Sequence, residues 1–372
     1  MWKQLFIMAI LLAALIGADR YIQHQRADER KASAQVTELF STAMFLENPV
    51  AAFRLITADD REWTYIHDEG IWRSVEAFGA PGIQSRMELL LPSLLSARGV
   101  IQAKTSEHQA HFGLGGSERI VIAACGPAVL TDPDGDVIAG IEIGRAIPET
   151  NSTFVRRLGE QAIWAVNIDF HDIIKLSEVP GIPPMLDPNI IPEAWPGADV
   201  GIQSVSVQRF DGGESYRAQR VERTPADAES SRAVPWEWVI EISDGTYSID
   251  PRLVQSYFLF LVRAPFAGIL RPGNRPELGF EDPQAQIDLT TADGEVLRLL
   301  VGARQPRGGV AILNSYTQVG YLLDPNLLPL LVPDADVLLG DALDDPWEPH
   351  IRPERQFPDL PEGVELPAEM LR

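Results

Sequence analysis

A chain of 372 residues has length enough to bury a sizeable core and room for about two domains. Its hydrophobic content of 45% and charged content of 23% are ordinary for a globular protein, which excludes both a disordered chain and an array of membrane spans. A formal net charge of −22 argues against nucleic acid or an anionic membrane surface as a partner of the body, because both need a basic patch, and a single cysteine, Cys125, excludes an intramolecular disulfide and any multi-cysteine metal site.

Residues Leu5 to Ala18 form an unbroken apolar run of 14, preceded by Lys3 and closed by Asp19-Arg20. As a helix this run covers roughly 21 Å against a hydrocarbon core of about 30 Å. Two readings stay open: a secretory signal cleaved after Ala18, or an uncleaved single-pass anchor that continues through Tyr21-Ile22 with Asp19 and Arg20 reaching to the interface. Arg20, Arg26, Arg30 and Lys31 outnumber the basic groups before the run, which weighs against an N-inside orientation. Taken N-inside, either reading places the body outside the cytoplasm. From Asp19 to Phe45 good helix formers, with Val36, Leu39, Phe40 and Met44 at spacings of three and four, predict a stalk helix.

The body opens with three predicted antiparallel strands, Val50–Ile56, Glu62–His67 and Ile71–Val75, joined by tight turns. Ile83, Met87, Leu90, Leu91, Leu94 and Leu95 then recur at helical spacing, with Pro92 expected to kink or split the helix. Val100–Ala103 and Arg119–Ala124 supply further strands. Six prolines between Pro180 and Pro196 mark a connector. After it come Val200–Arg209, a turn at Asp211-Gly212-Gly213, Ser215–Val221, a polar loop at Thr224–Arg232, a strand at Trp236–Ile242 and a helix at Pro251–Ala264. The tail from Asp341 holds nine acidic residues, three basic ones and six prolines, and is expected to be extended or disordered.

Within this order one unit occurs twice. Asp134-Gly135, an alternating run to Gly144, Phe154–Leu158 and Ala162–Asn167 are repeated as Asp293-Gly294, Val296–Gly302, Val310–Leu313 and Val319–Asp324. Trp164 and Tyr321, like Asn167 and Asp324, stand 157 residues apart. Trp72 matches Trp238, and Phe112-Gly113-Leu114 matches Leu278-Gly279-Phe280. Asp134 to Gly144 spans ten positions and Asp293 to Gly302 nine. A slip inside a strand would turn every side chain over, so the extra residue belongs in the hairpin turn. The expectation is an α+β fold of two similar domains, each a mainly antiparallel β-sheet packed with a helix. The expected division is an anchor or signal at 1–22, a stalk helix at 23–46, a first repeat at 47–177, a connector at 178–199, a second repeat at 200–340 and an acidic Pro-rich tail at 341–372.

Gly70-Ile71-Trp72, the Leu-rich helix, Phe112-Gly113-Leu114, Asp134-Gly135 and Ile141-Glu142-Ile143-Gly144, in that order behind an apolar N-terminus, resemble the domain of unknown function 4340 family. The resemblance covers roughly residues 50 to 340. It implies a membrane-anchored extracytoplasmic protein of the bacterial inner membrane, associated with ABC-transporter systems of the gliding-motility type, and it carries no catalytic residues with it.

Several side chains invite a chemical reading. His108 and His111 beside Glu107 have metal-ligand types, but the second copy has Arg275-Pro276-Glu277 there, which favours a solvated loop. Asp132, Asp134 and Asp136 around Gly135 look like a calcium loop whose later acidic ligand would fall near the apolar Ile143, so a hairpin turn is the better account. Gly113–Ser117 lacks the Lys-Ser/Thr of a phosphate loop and the frame of a nucleophile elbow. Cys125 ends an apolar strand and reads as buried and inert. Trp72, Trp164, Trp238 and Tyr321 read as core anchors rather than a stacking site. No residue is therefore assigned a catalytic, cofactor-binding or metal-ligating role. The expected function is a non-catalytic interaction component of a membrane assembly such as an ABC transporter. The alternative is a ligand-binding or hydrolytic extracytoplasmic protein with a site between the repeats.

Overall fold

A computed structural model of the chain describes residues 36–351 apart from 117–118, 131–136, 148–149, 175, 177–181, 198–200, 223–235, 272, 274, 307 and 341–343. These residues divide between Asp187 and Pro188 into two compact units. Each unit is an antiparallel sheet carrying one long helix, an α+β fold occurring twice.

In the first unit the strands are β1 (Thr37–Glu38), β2 (Ala52–Ile56), β3 (Glu62–Asp68), β4 (Ile71–Ser74), β5 (Ala80–Pro81), β6 (Arg98–Ala103), β7 (Ile120–Cys125), β8 (Val137–Ile147), β9 (Ser152–Arg157) and β10 (Ile163–Val166). They run in the order β1-β6-β10-β9-β8-β7-β2-β3-β4-β5. The second unit has β11 (Ile202–Arg209), β12 (Tyr216–Glu222), β13 (Trp236–Ile242), β14 (Gly245–Ser248), β15 (Gly268–Leu270), β16 (Ala285–Thr291), β17 (Val296–Arg304), β18 (Val310–Asn314) and β19 (Val319–Leu323). Their order, β15-β19-β18-β17-β16-β11-β12-β13-β14, repeats that of the first unit from β6 to β5, strand for strand.

The long helices, α1 (Gln84–Ser96) and α2 (Pro251–Arg263), occupy the same place in the two chain orders. Helix α2 starts in the expected way: Pro251 fills its first position and the Asp250 side chain accepts the Arg252 N–H at 2.9 Å. Helix α1 lacks a side-chain cap. Its first residue, Gln84, instead accepts the Trp72 N–H at 2.8 Å and donates to the Trp72 and Gly82 carbonyls, tying the helix start to β4. Met87, Leu90 and Leu94, at helical spacing, bury against Phe53, Leu55, Tyr65, Ile122 and Ile141 of the sheet. Pro92 sits inside a single helix rather than splitting it, on the exposed side.

Pairing in the repeated hairpins sharpens the alignment. Ile143 pairs with Val155 and Val155 with Trp164; Val301 pairs with Ile312 and Ile312 with Tyr321. Both copies then carry an irregularity at the glycine that ends the strand motif, between Ile143 and Ala146 and between Val301 and Arg304. The copies regain equivalent pairs at Ala146–Thr153 and Arg304–Val310, so the turn joining β8 to β9 is one residue longer than its counterpart. The hairpin before β8, where the extra residue was expected, lies outside the described residues.

The irregularity has a packing partner. A short 3-10 helix, Ser106–Phe112, ends at Gly113 with φ 76°, and its counterpart Pro276–Leu278 ends at Gly279 with φ 72°. A Cβ on Gly113 would lie 2.7 Å from the Arg145 nitrogen, and one on Gly279 would lie 2.8 Å from the Ala303 nitrogen. Reciprocally, a Cβ on Gly144 would run into the Phe112 carbonyl, and one on Gly302 into the Leu278 carbonyl. The Phe-Gly-Leu turn and the strand glycine are two halves of one close contact, made twice.

Three segments differ from expectation. Residues 36–41 are not helical: Thr37–Glu38 pair with β6, and the adjacent Leu39 and Phe40 are both buried in the first core. A helix would turn adjacent side chains about 100° apart, whereas here the chain runs along a strand edge and then plugs the core. The earlier part of the predicted stalk lies outside the described residues. The described part of the Pro-rich connector, 182–197, is packed, not free. Met185 and Leu186 are buried with the first unit, whereas Ile190, Ile191 and Trp195 are buried residues of the second. Each unit even begins alike, with Leu39 N–H donating to Ala97 O at 2.8 Å and Ile190 N–H to Ala264 O at 2.9 Å. Finally, the expected tail begins inside the fold. Trp347 is fully buried against Tyr257 at 5.2 Å, its indole N–H donates to Leu330 O at 3.0 Å, and a helical turn follows at Glu348–Ile351.

Candidate functional site

Among the described residues, those singled out from sequence do not converge. His111 lies exposed at the end of the 3-10 helix, edge-on to Phe112 at 5.3 Å, and the His108 side chain is outside the described residues. Among the described residues no group of three or more His, Cys, Asp or Glu is placed to hold a metal ion. Asp132, Asp134, Asp136 and Ser117 lie outside the described residues. Gly113 serves the turn contact. Cys125 is fully buried, and burial pushes its thiol above the ordinary range, which suppresses the nucleophilic thiolate. Trp72, Trp164, Trp238 and Tyr321 are all buried, against Phe53, Val155, Phe258 and Phe266 respectively.

Two features went unseen in the sequence. The first is a charged cluster inside the first sheet. Glu142 on β8, 3% exposed, pairs across the ladder with Arg156 on β9. Its other oxygen accepts the Gly115 N–H at 2.9 Å and lies 3.4 Å from Arg119, while Arg156 also donates to Gln109 at 2.9 Å. All these partners lie in the first unit. At the equivalent places the second unit pairs Leu300 with Leu313. The signal that could have exposed the cluster is Glu142 itself, a carboxylate inside an apolar strand, but the family-like motif treats that position as open.

The second is a groove in the second unit. Trp236 and Trp238 of β13 form one wall, and Phe258, Leu259 and Val262 of α2 form the other, with Gln255 as the polar side chain. The cavity measures about 390 Å³, within the range of small-ligand and peptide-anchor sites. Helix α2 presents two faces: Leu253, Tyr257, Phe260 and Leu261 are buried, while Phe258, Leu259 and Val262 stay partly open to the groove. Beside the groove the Arg220 guanidinium lies over the Trp236 ring at 3.6 Å, a cation–π contact that fixes the indole. Comparison with known protein families, curated proteins and solved structures returns no match. The described lining carries no titratable side chain. That described lining suits an apolar or aromatic group, with Gln255 placed to orient a polar end.

A second cavity of about 330 Å³ lies by Arg209, Asp211 and Asp334. Its charges are spent on one another. Arg209 binds Asp211 through two nitrogens, at 3.2 and 2.9 Å, and also pairs with Asp334. Hydrogen bonding to Asp211 raises the Arg209 guanidinium, and Arg209 in turn holds the Asp211 carboxyl below the usual range. Under them burial pushes the Tyr216 and Tyr257 hydroxyls well up.

Proposed function

We propose that this chain is a non-catalytic interaction protein held at a membrane by its N-terminal segment, with the Trp236–Val262 groove as its working surface. The observation that carries the reading is the groove itself, whose described walls are aromatic and aliphatic, with the Gln255 amide among them. Such a surface gains affinity by removing apolar area from water, and none of its described side chains titrates. The apolar run Leu5–Ala18 supplies the anchor. The resemblance stated above supplies the partner class, an extracytoplasmic segment of a membrane protein such as an ABC-transporter permease. Among the described residues no helix is long and apolar enough to cross a membrane, and residues 1–35 lie outside them.

The test is affinity purification from detergent-solubilised membranes with the wild-type chain and with Leu259→Glu. Leu259 is only half-buried, so a carboxylate there places a charge in the groove without opening the core. The wild type should recover an integral membrane protein and the variant should not. Equal recovery by both, or no membrane partner for the wild type, refutes the reading. If a small apolar molecule co-purifies with the wild type and not with the variant, the groove is a ligand site instead.

A further inference from the structure

The duplicated fold provides its own control, and one edge of the two sheets is treated differently. In the first unit the outer edge at β5 is occupied. Asp187 N–H donates to Pro81 O at 3.0 Å, Ile83 N–H donates to Met185 O at 2.8 Å, and Leu186 bridges to Gly82. The Tyr65 hydroxyl also donates to Pro184 O. The occupant is thus the proline-flanked segment Pro184–Asp187, which turns at Met185, φ 64°, and pairs with the edge through Leu186.

The matching edge of the second unit is β14. Gly82 N–H donates to Trp72 O at 2.8 Å and Ile249 N–H to Trp238 O at 3.1 Å, so Pro81, Gly82 and Ile83 correspond to Ser248, Ile249 and Asp250. Because backbone groups alternate along an antiparallel ladder, the groups of Tyr247 and Ile249 face β13, while those of Thr246 and Ser248 and the N–H of Asp250 face outward; the Asp250 carbonyl accepts the Val254 N–H of α2. All four residues of β14 are exposed, and no described segment pairs with its outer side. The surroundings are acidic. Asp244 and Glu214 lie close enough to Tyr247 to raise its hydroxyl, Glu241 pairs with Thr246 on one side and with Arg217 on the other, and the nearby Arg252 is engaged by Asp250.

We propose that the outer edge of Thr246–Asp250 docks an extended cationic segment of a partner polypeptide, which adds to the second sheet as a further strand. Backbone pairing gives such an addition its geometry, and the carboxylates select the charge. Where the first unit's occupant carries Asp187 opposite Pro81, an occupant here carries the residue opposite Ser248, next along the ladder face from the Thr246–Glu241 pair, so a lysine or arginine is favoured at that place. Thr246 and Ser248 are not among the groove's lining residues.

Two synthetic octapeptides test this, one with the sequence of residues 182–189 and one carrying Asp187→Lys in that sequence. Each is titrated against the full chain by fluorescence anisotropy, with amide exchange read at Thr246, Ser248 and Asp250. The lysine peptide should bind about tenfold or more tightly than the unchanged one, weaken as salt rises, and slow exchange at those three amides. Thr246→Pro removes an outward N–H without touching the ladder to β13 and should abolish binding. Failure of both peptides to bind, equal binding of the two, or unchanged binding to Thr246→Pro overturns the proposal. So does a wild-type dimer that Thr246→Pro dissolves, since the edge then belongs to a second copy. Amide exchange in the wild type decides the matter even if the proline variant does not fold.

Discussion

Replacing Glu142 with leucine, alone and together with Arg156→Leu, separates the worth of a buried ion pair from the penalty for breaking it. Glu142 is 3% exposed, and its carboxylate satisfies Arg156, Arg119 and the Gly115 N–H at once. Glu142→Leu leaves the Arg156 guanidinium with Gln109 and an unpartnered Gly115 N–H. A fully buried orphaned charge costs about 3–5 kcal/mol. Arg156 keeps 21% of its side chain exposed and can partly rehydrate, so about 2–4 kcal/mol is expected here. Arg156→Leu should cost somewhat less, since Arg119 remains 3.4 Å from the carboxylate. The double variant installs the Leu300–Leu313 pair that the second unit already uses, and should fall within about 1 kcal/mol of wild type. The two units can open separately, so the assay is amide exchange of β7, β8 and β9, backed by urea unfolding. A double variant that loses the sum of the two single losses would refute this reasoning, because the pair would then stabilise the fold in its own right.

Alanine at Gly144 or Gly302 should each destabilise its own unit by about 1–3 kcal/mol in urea unfolding, because the new Cβ meets a backbone carbonyl that cannot move away cheaply. Tolerance of either substitution would show that the two-part turn contact is looser than described. At acid pH, Asp250 gives a signed expectation. Hydrogen bonding from the Arg252 side chain, then from its backbone N–H, holds the Asp250 carboxyl below its ordinary 3.8. A lowered folded pKa means its contribution is complete above about 3.8 and is lost as pH falls through the folded value. Asp250→Asn keeps the cap but removes the titration, so the melting temperature of the second unit should fall less steeply below that pH. An unchanged acid slope would exclude Asp250 from acid unfolding.

What the sequence made legible is what a period can carry. Ile141 and Ile143, with Leu299 and Val301, alternate cleanly and sit buried where alternation places them. Helix α2 was visible for the same reason. Strand β16 alternates too, with Ala285, Ile287, Leu289 and Thr291 facing in, yet two of those four are small or polar and the pattern fades. Strand β14 is exposed at every residue and has no period to read. Leu39 and Phe40 suit a helix by spacing but enter the core side by side, a choice made by tertiary packing alone. Trp347 hid in an acidic, proline-rich context although it packs on Tyr257 and donates to Leu330. The groove could not be read at all. Trp236 and Val262 belong to different elements, and only the fold brings their open faces together.

The charge difference between the copies bears on how a tandem protein assembles. Two adjacent units with the same strand order invite strands to exchange during folding, a hazard that grows with their likeness. If β8 paired with β18 in place of β9, Glu142 would face Leu313, and Arg156 would be left to face Leu300 across the reciprocal swap. Each hybrid sheet would hold a charge that has lost its cross-strand partner, Glu142 keeping only Arg119 among the described cations. The ion pair thus works as a label of parentage, penalising hybrids while leaving each correct sheet closed, and the first copy carries its identity at the centre of the ladder where an exchanged strand would have to enter.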